Sequence, residues 1–223
     1  MTSSFHPTRW TLVLRARGEG DEAKAALSDL CEAYYAPVVG FLKREGRSED
    51  AARELAHGFF ESVLSGGLGA PEPGRGRFRS YLLGALKHFR SKHRAAALAG
   101  KRGGAVEHVE WDLANDAGTA DDALGFDREW ALALIGRALV ALEAEEKPER
   151  FRVLKPWLNG DADVSQAEAA RELGMSGTAV KVAIHRLRVR FRELIRAEVA
   201  ATVGDPAEVA DELRHLIAVV GSG

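Results

Sequence analysis

Apolar residues recur every three or four positions along most of the chain, and no segment alternates steadily between apolar and polar residues. A spacing of three and four belongs to one face of an α-helix, whereas steady alternation belongs to a half-buried strand. Ala, Leu, Glu and Arg, which are good helix formers, are abundant throughout. The pattern therefore predicts an all-α fold.

The first half of the chain predicts three long helices. One is capped by Asp21, and Pro37 should kink or restart it before residues 38–44. Ser48 can cap the second helix, because its hydroxyl can accept a hydrogen bond from a helix-start amide. The third covers residues 78–94.

The clearest helix boundaries lie in residues 165–196. Ser165 can cap a helix, and Glu168 three residues later completes a capping box. Gly174 stands where this helix would end in the left-handed conformation, and Ser176 can cap a second helix. Two helices joined by a short turn containing Gly predict a helix-turn-helix, whose second helix enters the major groove of DNA.

The second of these helices separates apolar and polar side chains onto two faces. The apolar face, which anchors the helix to its domain, comprises Val180, Ala183, Ile184, Leu187, Phe191, Leu194 and Ile195. The opposite face comprises Thr178, Lys181, Val182, His185, Arg192 and Arg196. Residues 181–192 contain five Lys or Arg and no Asp or Glu, so this helix favours a polyanion as its partner. A solvated helix pair within a bundle is the simpler interpretation of the same pattern.

Charge is distributed unevenly, although the 223-residue chain has a formal net charge of only −2. Residues 75–102 contain nine Lys or Arg and no acid, whereas residues 107–129 contain eight acids and one Arg. The helical period fades in the acidic stretch, which indicates an interdomain linker. Two basic surfaces separated by an acidic segment make local charge, rather than net charge, the quantity that matters.

The predicted helix at residues 78–94 combines this positive charge with aromatic residues. Lys87, Arg90 and Arg94 form its predicted outer stripe, and Tyr81 and His88 are interleaved with them. Cations can hold phosphates while aromatic faces receive unstacked bases, so the segment suits a partly opened nucleic acid.

The sequence gives little support for a disulfide-bonded protein, a membrane protein, an enzyme or a metal site. Cys31 is the single cysteine, which excludes an internal disulfide framework and fits a reducing compartment. The chain has no signal peptide and no apolar run long enough for a membrane span, so we expect a cytoplasmic protein. Neither a phosphate-binding loop nor histidines at metal-ligand spacing are present. We therefore expect no enzyme activity, no cofactor and no metal.

Four stretches together resemble RNA polymerase sigma factors of the extracytoplasmic-function type. LCEAYYAPVVGFLKREG at residues 30–46 resembles the first helix of their region two, and SEDAARELAHGFF at 48–60 resembles the helix that grips the polymerase β′ subunit. GRFRSYLLGALKHF at 76–89 is similar to the part that melts the −10 promoter element. LGMS with VKVAIHRLR, ending at Arg188, resembles the region-four helix-turn-helix that reads the −35 element.

The resemblance implies two helical domains joined by an acidic linker. Its implied boundaries are an N-terminal segment at 1–25, region two at 26–100, a linker at 101–129, region four at 130–200 and a helical extension at 201–223. DPAEV at residues 205–209 belongs to that extension, which is associated with one subgroup of the family. We expect the extension to pack on region two or region four.

The resemblance also implies which residues act. Core RNA polymerase would be bound through Glu54, His57, Phe60 and Glu61. Promoter DNA would be bound through Tyr81, Lys87, His88, Arg90 and Arg94 in region two, and through Ser176, Thr178, Lys181, His185, Arg186, Arg188 and Arg192 in region four. An anti-sigma factor or a regulatory kinase is a further partner compatible with the family.

Two other functions remain open at this point. A homodimeric helix-turn-helix regulator would explain residues 165–196 but would leave the basic helix at 78–94 without a role. A helical adaptor that binds only proteins would show no salt-dependent DNA binding. The sequence does not give the promoter, the inducing signal or the oligomeric state.

Overall fold

The computed structural model describes residues 15–16, 18, 20–65, 77–102, 120–158, 160 and 165–221. Within these ranges the regular elements are helices and there is no strand, which confirms the predicted fold class. In the same ranges, no helix is long and apolar enough to cross a membrane. The acidic linker was predicted at residues 101–129. Residues 103–119, which make up most of it, lie outside the described ranges.

The α-helices follow one another with short connections where these are described. In chain order they are α1 (Asp21–Arg44), α2 (Glu49–Leu64), α3 (Phe78–Arg102), α4 (Ala120–Glu145), α5 (Pro148–Leu154), α6 (Gln166–Leu173), α7 (Gly177–Ala200) and α8 (Val209–Gly221). Short 3-10 turns at Lys155–Leu158 and Pro206–Glu208 follow α5 and precede α8. Contacts divide the chain into two compact units: unit 1 is Met1–Ala133 with Ala200–Gly223, and unit 2 is Leu134–Val199.

The boundaries of α1 and α2 test three local predictions. Ser48 caps α2 as expected, because its side chain accepts a hydrogen bond from the backbone N–H of Ala51 at 3.3 Å. The cap position of α1 is Gly20, with a φ of 94°, and Asp21 is its first helical residue rather than its cap. The helix continues through Pro37 into residues 38–44, so the expected restart there is wrong. Burial of both Tyr34 and Val38 beside the proline supports the continuous helix.

Aromatic side chains form the centre of unit 1. Tyr34 of α1 stacks on Trp130 of α4 with ring centroids 4.5 Å apart, and Phe78 of α3 lies 5.2 Å from Tyr34. Phe126 of α4 packs edge-on against Phe41 of α1 at 5.8 Å. These rings tie α1, α3 and the beginning of α4 together, because burying such large apolar surfaces is strongly favourable.

Residues 120–129 belong to unit 1 as helix, although the sequence placed them in a linker. They form the first turns of α4, and both Phe126 and Asp127 are buried. The high density of acids suggested a solvated segment, but Asp127 pairs with the buried Arg79. The density of acidic residues therefore predicted a linker that extends to residue 129, whereas α4 already begins at Ala120.

Asp127 contributes to a buried ionic cluster that fixes the C-terminal helix to unit 1. Arg79 of α3 donates from Nε and Nη2 to the carboxylate of Glu212 in α8, at 2.9 and 3.3 Å, and from Nη1 to Asp127. Arg77 also pairs with Glu212, at 3.0 Å, and His215 Nε2 lies 2.6 Å from Asp127. We call these five residues the tail cluster.

The centre of the tail cluster is enclosed, since the Glu212 side chain is 1% exposed and that of Arg79 is 9% exposed, while Arg77 and His215 at its edge are about one third exposed. Burial acts to lower the pKa of the Arg79 guanidinium, but the hydrogen bonds from Arg79 to Glu212 and the negative charges of Asp127 and Glu212 outweigh it and raise the pKa. The backbone N–H of Phe78 also donates to the carbonyl of Thr202. The C-terminal segment is thus an integral part of unit 1, which satisfies the expectation that it packs on one of the two helical regions.

Unit 2 is built from the second part of α4 together with α5, α6 and most of α7. Leu154 of α5, Ala169 of α6 and Val180 of α7 are each 0% exposed and meet in one apolar cluster. Pro148 begins α5 at a position where the missing N–H costs nothing. This core holds the two helices that the sequence identified as a helix-turn-helix.

Candidate nucleic-acid interface

The first helix of the predicted helix-turn-helix begins with a complete capping box. Ser165 Oγ accepts a hydrogen bond from the N–H of Glu168 at 3.2 Å, and the Ser165 N–H donates to Glu168 Oε2 at 2.8 Å. Ser165 Oγ also donates to the same carboxylate, and these hydrogen bonds from the side chain and backbone of Ser165 lower the pKa of Glu168. The start of α6 is therefore fixed by its local sequence, as predicted.

The turn between α6 and α7 needs the glycine that the sequence supplies. Gly174 has φ 62° and ψ 31°. This is the left-handed region, where a side chain would be strained. The N–H of Met175 donates to the carbonyl of Ala170 at 2.9 Å, which completes the helix ending. Ser176 then caps α7 by accepting from the N–H of Ala179 at 3.2 Å, so a short turn joins the two helices, in agreement with the prediction.

The apolar face of α7 is buried in the core of unit 2, where Val180, Ala183, Ile184 and Leu187 are at most 5% exposed. Phe191 and Leu194 continue this face and pack against the core while partly exposed. Because one face is held so firmly, the opposite face has a fixed orientation relative to the rest of unit 2.

The opposite face of α7 is exposed and carries several of the predicted DNA-binding residues. We call it the cationic face, and its exposed members are Thr178, Lys181, Val182, His185, Arg186 and Arg192. Ser176 is also exposed, at the cap. The helix presents these side chains over about four turns, a length that a major groove admits.

Two of the five cations in residues 181–192 are held by partners within unit 2. Arg188 is half-buried, and its Nε donates to the carbonyl of Trp157 at 2.8 Å. Arg190 forms two hydrogen bonds with Glu145, each 2.7 Å long, and these bonds raise its pKa further. The Nε of Arg188 is therefore occupied, and its predicted backbone contact to DNA could use only its terminal nitrogens.

Replacing Arg188 with Ala should destabilise unit 2 by about 1–3 kcal/mol, because the backbone carbonyl of the buried Trp157 loses a charged donor. Urea unfolding followed by circular dichroism would measure this change. Lys181 is an exposed cation on the same helix and supplies the matched control. Replacing it with Ala should change stability by less than about 0.5 kcal/mol. Equal stability of the two variants would show that the Arg188 hydrogen bond does not stabilise unit 2.

The basic helix α3 differs from its prediction. Tyr81, Lys87 and His88 are 5–8% exposed, so the expectation that they lie on an outer stripe was wrong. Arg90 is partly exposed and pairs with Glu45, and Arg94 is exposed. At the start of α3, Arg79 bonds to Glu212 of α8 and the N–H of Phe78 donates to the carbonyl of Thr202, so this first turn is covered by a segment far away in sequence. The DNA-binding roles of these five α3 residues remain predictions.

The predicted polymerase-binding residues lie on α2, and all but one are exposed. Glu54, His57 and Glu61 are exposed and fall on one face at intervals of three and four residues. Phe60 was expected to be exposed beside them, but it is 6% exposed. It packs edge-on against Phe59, with ring centroids 5.3 Å apart, so it belongs to the core.

Sequence reasoning missed Tyr35, which joins the α2 face from α1. Its hydroxyl lies 3.3 Å from His57 Nε2, and its ring centroid is 5.2 Å from the imidazole. Tyr35 therefore orients His57. The available signal was the pair of adjacent tyrosines at 34 and 35, since neighbouring residues of a helix point about 100° apart and the second ring lies towards the edge of the buried face.

Comparison with known proteins gives no assignment: no family model, no curated protein and no solved structure matches this chain. In the described part of the chain, no group of three or more His, Cys, Asp or Glu side chains is placed to hold a metal ion.

Proposed function

We propose that this protein is a sigma factor of the extracytoplasmic-function type, which binds core RNA polymerase and directs it to a promoter. The observation that carries the proposal is the cationic face of α7. It lies directly after a glycine turn, on a helix whose other face is anchored in a core. This arrangement is what a recognition helix requires, since the anchored face fixes how the exposed one meets the groove.

In this proposal, unit 2 reads duplex DNA at the upstream promoter element. Lys181, Arg186 and Arg192 are exposed. Lys181 and Arg186 can reach base edges, and Arg192, further along α7, neutralises a phosphate. His185 and Thr178 add hydrogen-bonding groups between these cations. The backbone of the DNA would be contacted by the cap of α7 and by the terminal nitrogens of Arg188.

Unit 1 would contribute the contacts to core polymerase and to the opened strand. The exposed Glu54, His57 and Glu61 offer a polar helix face for a protein partner, and Tyr35 adds an aromatic ring at its edge. On α3, Arg94 is exposed, which suits it to a phosphate, whereas Arg90 would exchange its pairing with Glu45 for one. Contacts from the buried Tyr81, Lys87 and His88 would require these side chains to become exposed in the complex.

Replacing Arg192 with Ala should lower the salt dependence of duplex binding by about one unit in the slope of log K against log salt. Relative affinities for different sequences should stay unchanged, because a phosphate contact carries no sequence information. Fluorescence anisotropy over a range of salt concentrations would measure both quantities. Arg214→Ala, which removes an exposed cation from α8, is the matched control and should leave the slope unaltered.

The other two functions predict different results in the same assay. A homodimeric regulator would bind a palindromic duplex without polymerase, with two chains on each site. A protein-binding adaptor would give no salt-dependent DNA binding in the presence or absence of polymerase. Either result would contradict the proposal that this chain is a sigma factor.

A further inference from the structure

Val182 is an apolar residue in the middle of the cationic face. It is 44% exposed, although its helix has an apolar face that is well buried on the other side. A β-branched residue at an exposed helical position gains little from packing and has a lower helix propensity than Ala, Lys or Arg. The fold of unit 2 therefore gives no reason for valine at this position.

The surroundings of Val182 combine apolar surface with positive charge. Thr178 lies one turn before it and Arg186 one turn after it on the same face of α7. Together with Ala179, these residues line a shallow groove of about 420 Å³. Arg150 of α5 also lines it and adds a second cation, which pairs with Glu146 at 3.6 Å. The groove thus combines apolar side chains with two guanidinium groups.

The positive charges indicate which class of molecule would bind in the groove. The apolar side chains indicate which chemical group of that molecule would contact Val182. Arg150 and Arg186, with Lys181 adjacent, favour a polyanion such as nucleic acid. Among the base edges displayed in the major groove of DNA, thymine alone presents a methyl group. We propose that Val182 determines sequence specificity by packing against the 5-methyl group of one thymine in the site read by α7, an inference that rests on the proposed function.

Replacing thymine with uracil tests this proposal, because the two bases differ only by that methyl group. The duplex would first be recovered from a random library with the full chain bound to core RNA polymerase. Each thymine in the region protected by α7 would then be replaced singly by uracil. We expect one position at which affinity falls about three- to fivefold, as loss of one buried methyl group predicts.

Val182→Ala supplies the decisive variant. In this variant the affinity for the thymine duplex should fall by a similar factor, and the difference between thymine and uracil should disappear. Val140→Ala, which changes another exposed valine of unit 2, should retain the full thymine preference.

Three results would overturn the inference while leaving the proposed function intact. They are equal binding of every uracil duplex by the wild-type chain, a thymine preference that survives in Val182→Ala, and a protected region that lacks thymine. If instead the chain and polymerase recover no preferred duplex, the proposed function itself fails and the inference falls with it.

Discussion

Replacing Glu212 with Ala should lower the free energy of unfolding by about 3–5 kcal/mol, the usual effect of removing one partner from a buried ion pair. Among the described residues, Glu212 is the only carboxylate that contacts both Arg77 and Arg79, and its side chain is 1% exposed. Without it, the buried Arg79 guanidinium would keep, within the described part of the chain, the hydrogen bond to Asp127. Urea unfolding followed by circular dichroism would measure the change.

Asp211→Ala is the matched control, because Asp211 is the neighbouring acid on α8 and pairs with Arg214 at the surface. An exposed pair of this kind contributes little, so the variant should stay within about 0.5 kcal/mol of the wild type. Equal stability of the Glu212 and Asp211 variants would contradict the described docking of the C-terminal helix on α3.

The tail cluster also explains which parts of the fold the sequence could not predict. The spacing of apolar residues in α3 indicated one buried face and one exposed stripe, and that inference is sound for a helix packed on one side. In the structure, α8 comes from a distant part of the chain and covers the start of α3, where Arg79 is buried. No local pattern near Arg79 signals such a distant partner.

The helix-turn-helix could be predicted because its signals are local. The capping box of Ser165 and Glu168, the left-handed Gly174 and the cap at Ser176 each act over a few neighbouring residues. The division of α7 into two faces follows from the helical period alone. The sequence could not show which of the cations on α7 bond within the protein, since the partners of Arg188 and Arg190 come from other elements.

Replacing Leu187 with Ala should destabilise unit 2 by about 2–5 kcal/mol, because it leaves a cavity in the core that anchors α7. Leu187 is 3% exposed. Loss of the anchor should also weaken specific DNA binding, since the cationic face would no longer have a fixed orientation. Unfolding in urea and binding of the selected duplex would measure the two effects.

Val182→Ala is the control for this experiment, since it shortens an exposed side chain on the opposite face of the same helix. It should change the free energy of unfolding by less than about 0.5 kcal/mol, while still weakening binding to thymine-containing duplexes. If Leu187→Ala were as stable as Val182→Ala, the apolar face of α7 would not be the anchor described here.

Transcription in vitro would show whether this chain gives RNA polymerase its choice of promoter. Core bacterial polymerase would be mixed with the purified chain and a fragmented genomic template, and the 5′ ends of the transcripts would be mapped. If the chain is a sigma factor, new and discrete start sites appear only when it is present, and they decrease with Arg186→Ala but persist with Arg214→Ala. A start-site pattern identical to that of core polymerase alone would contradict it.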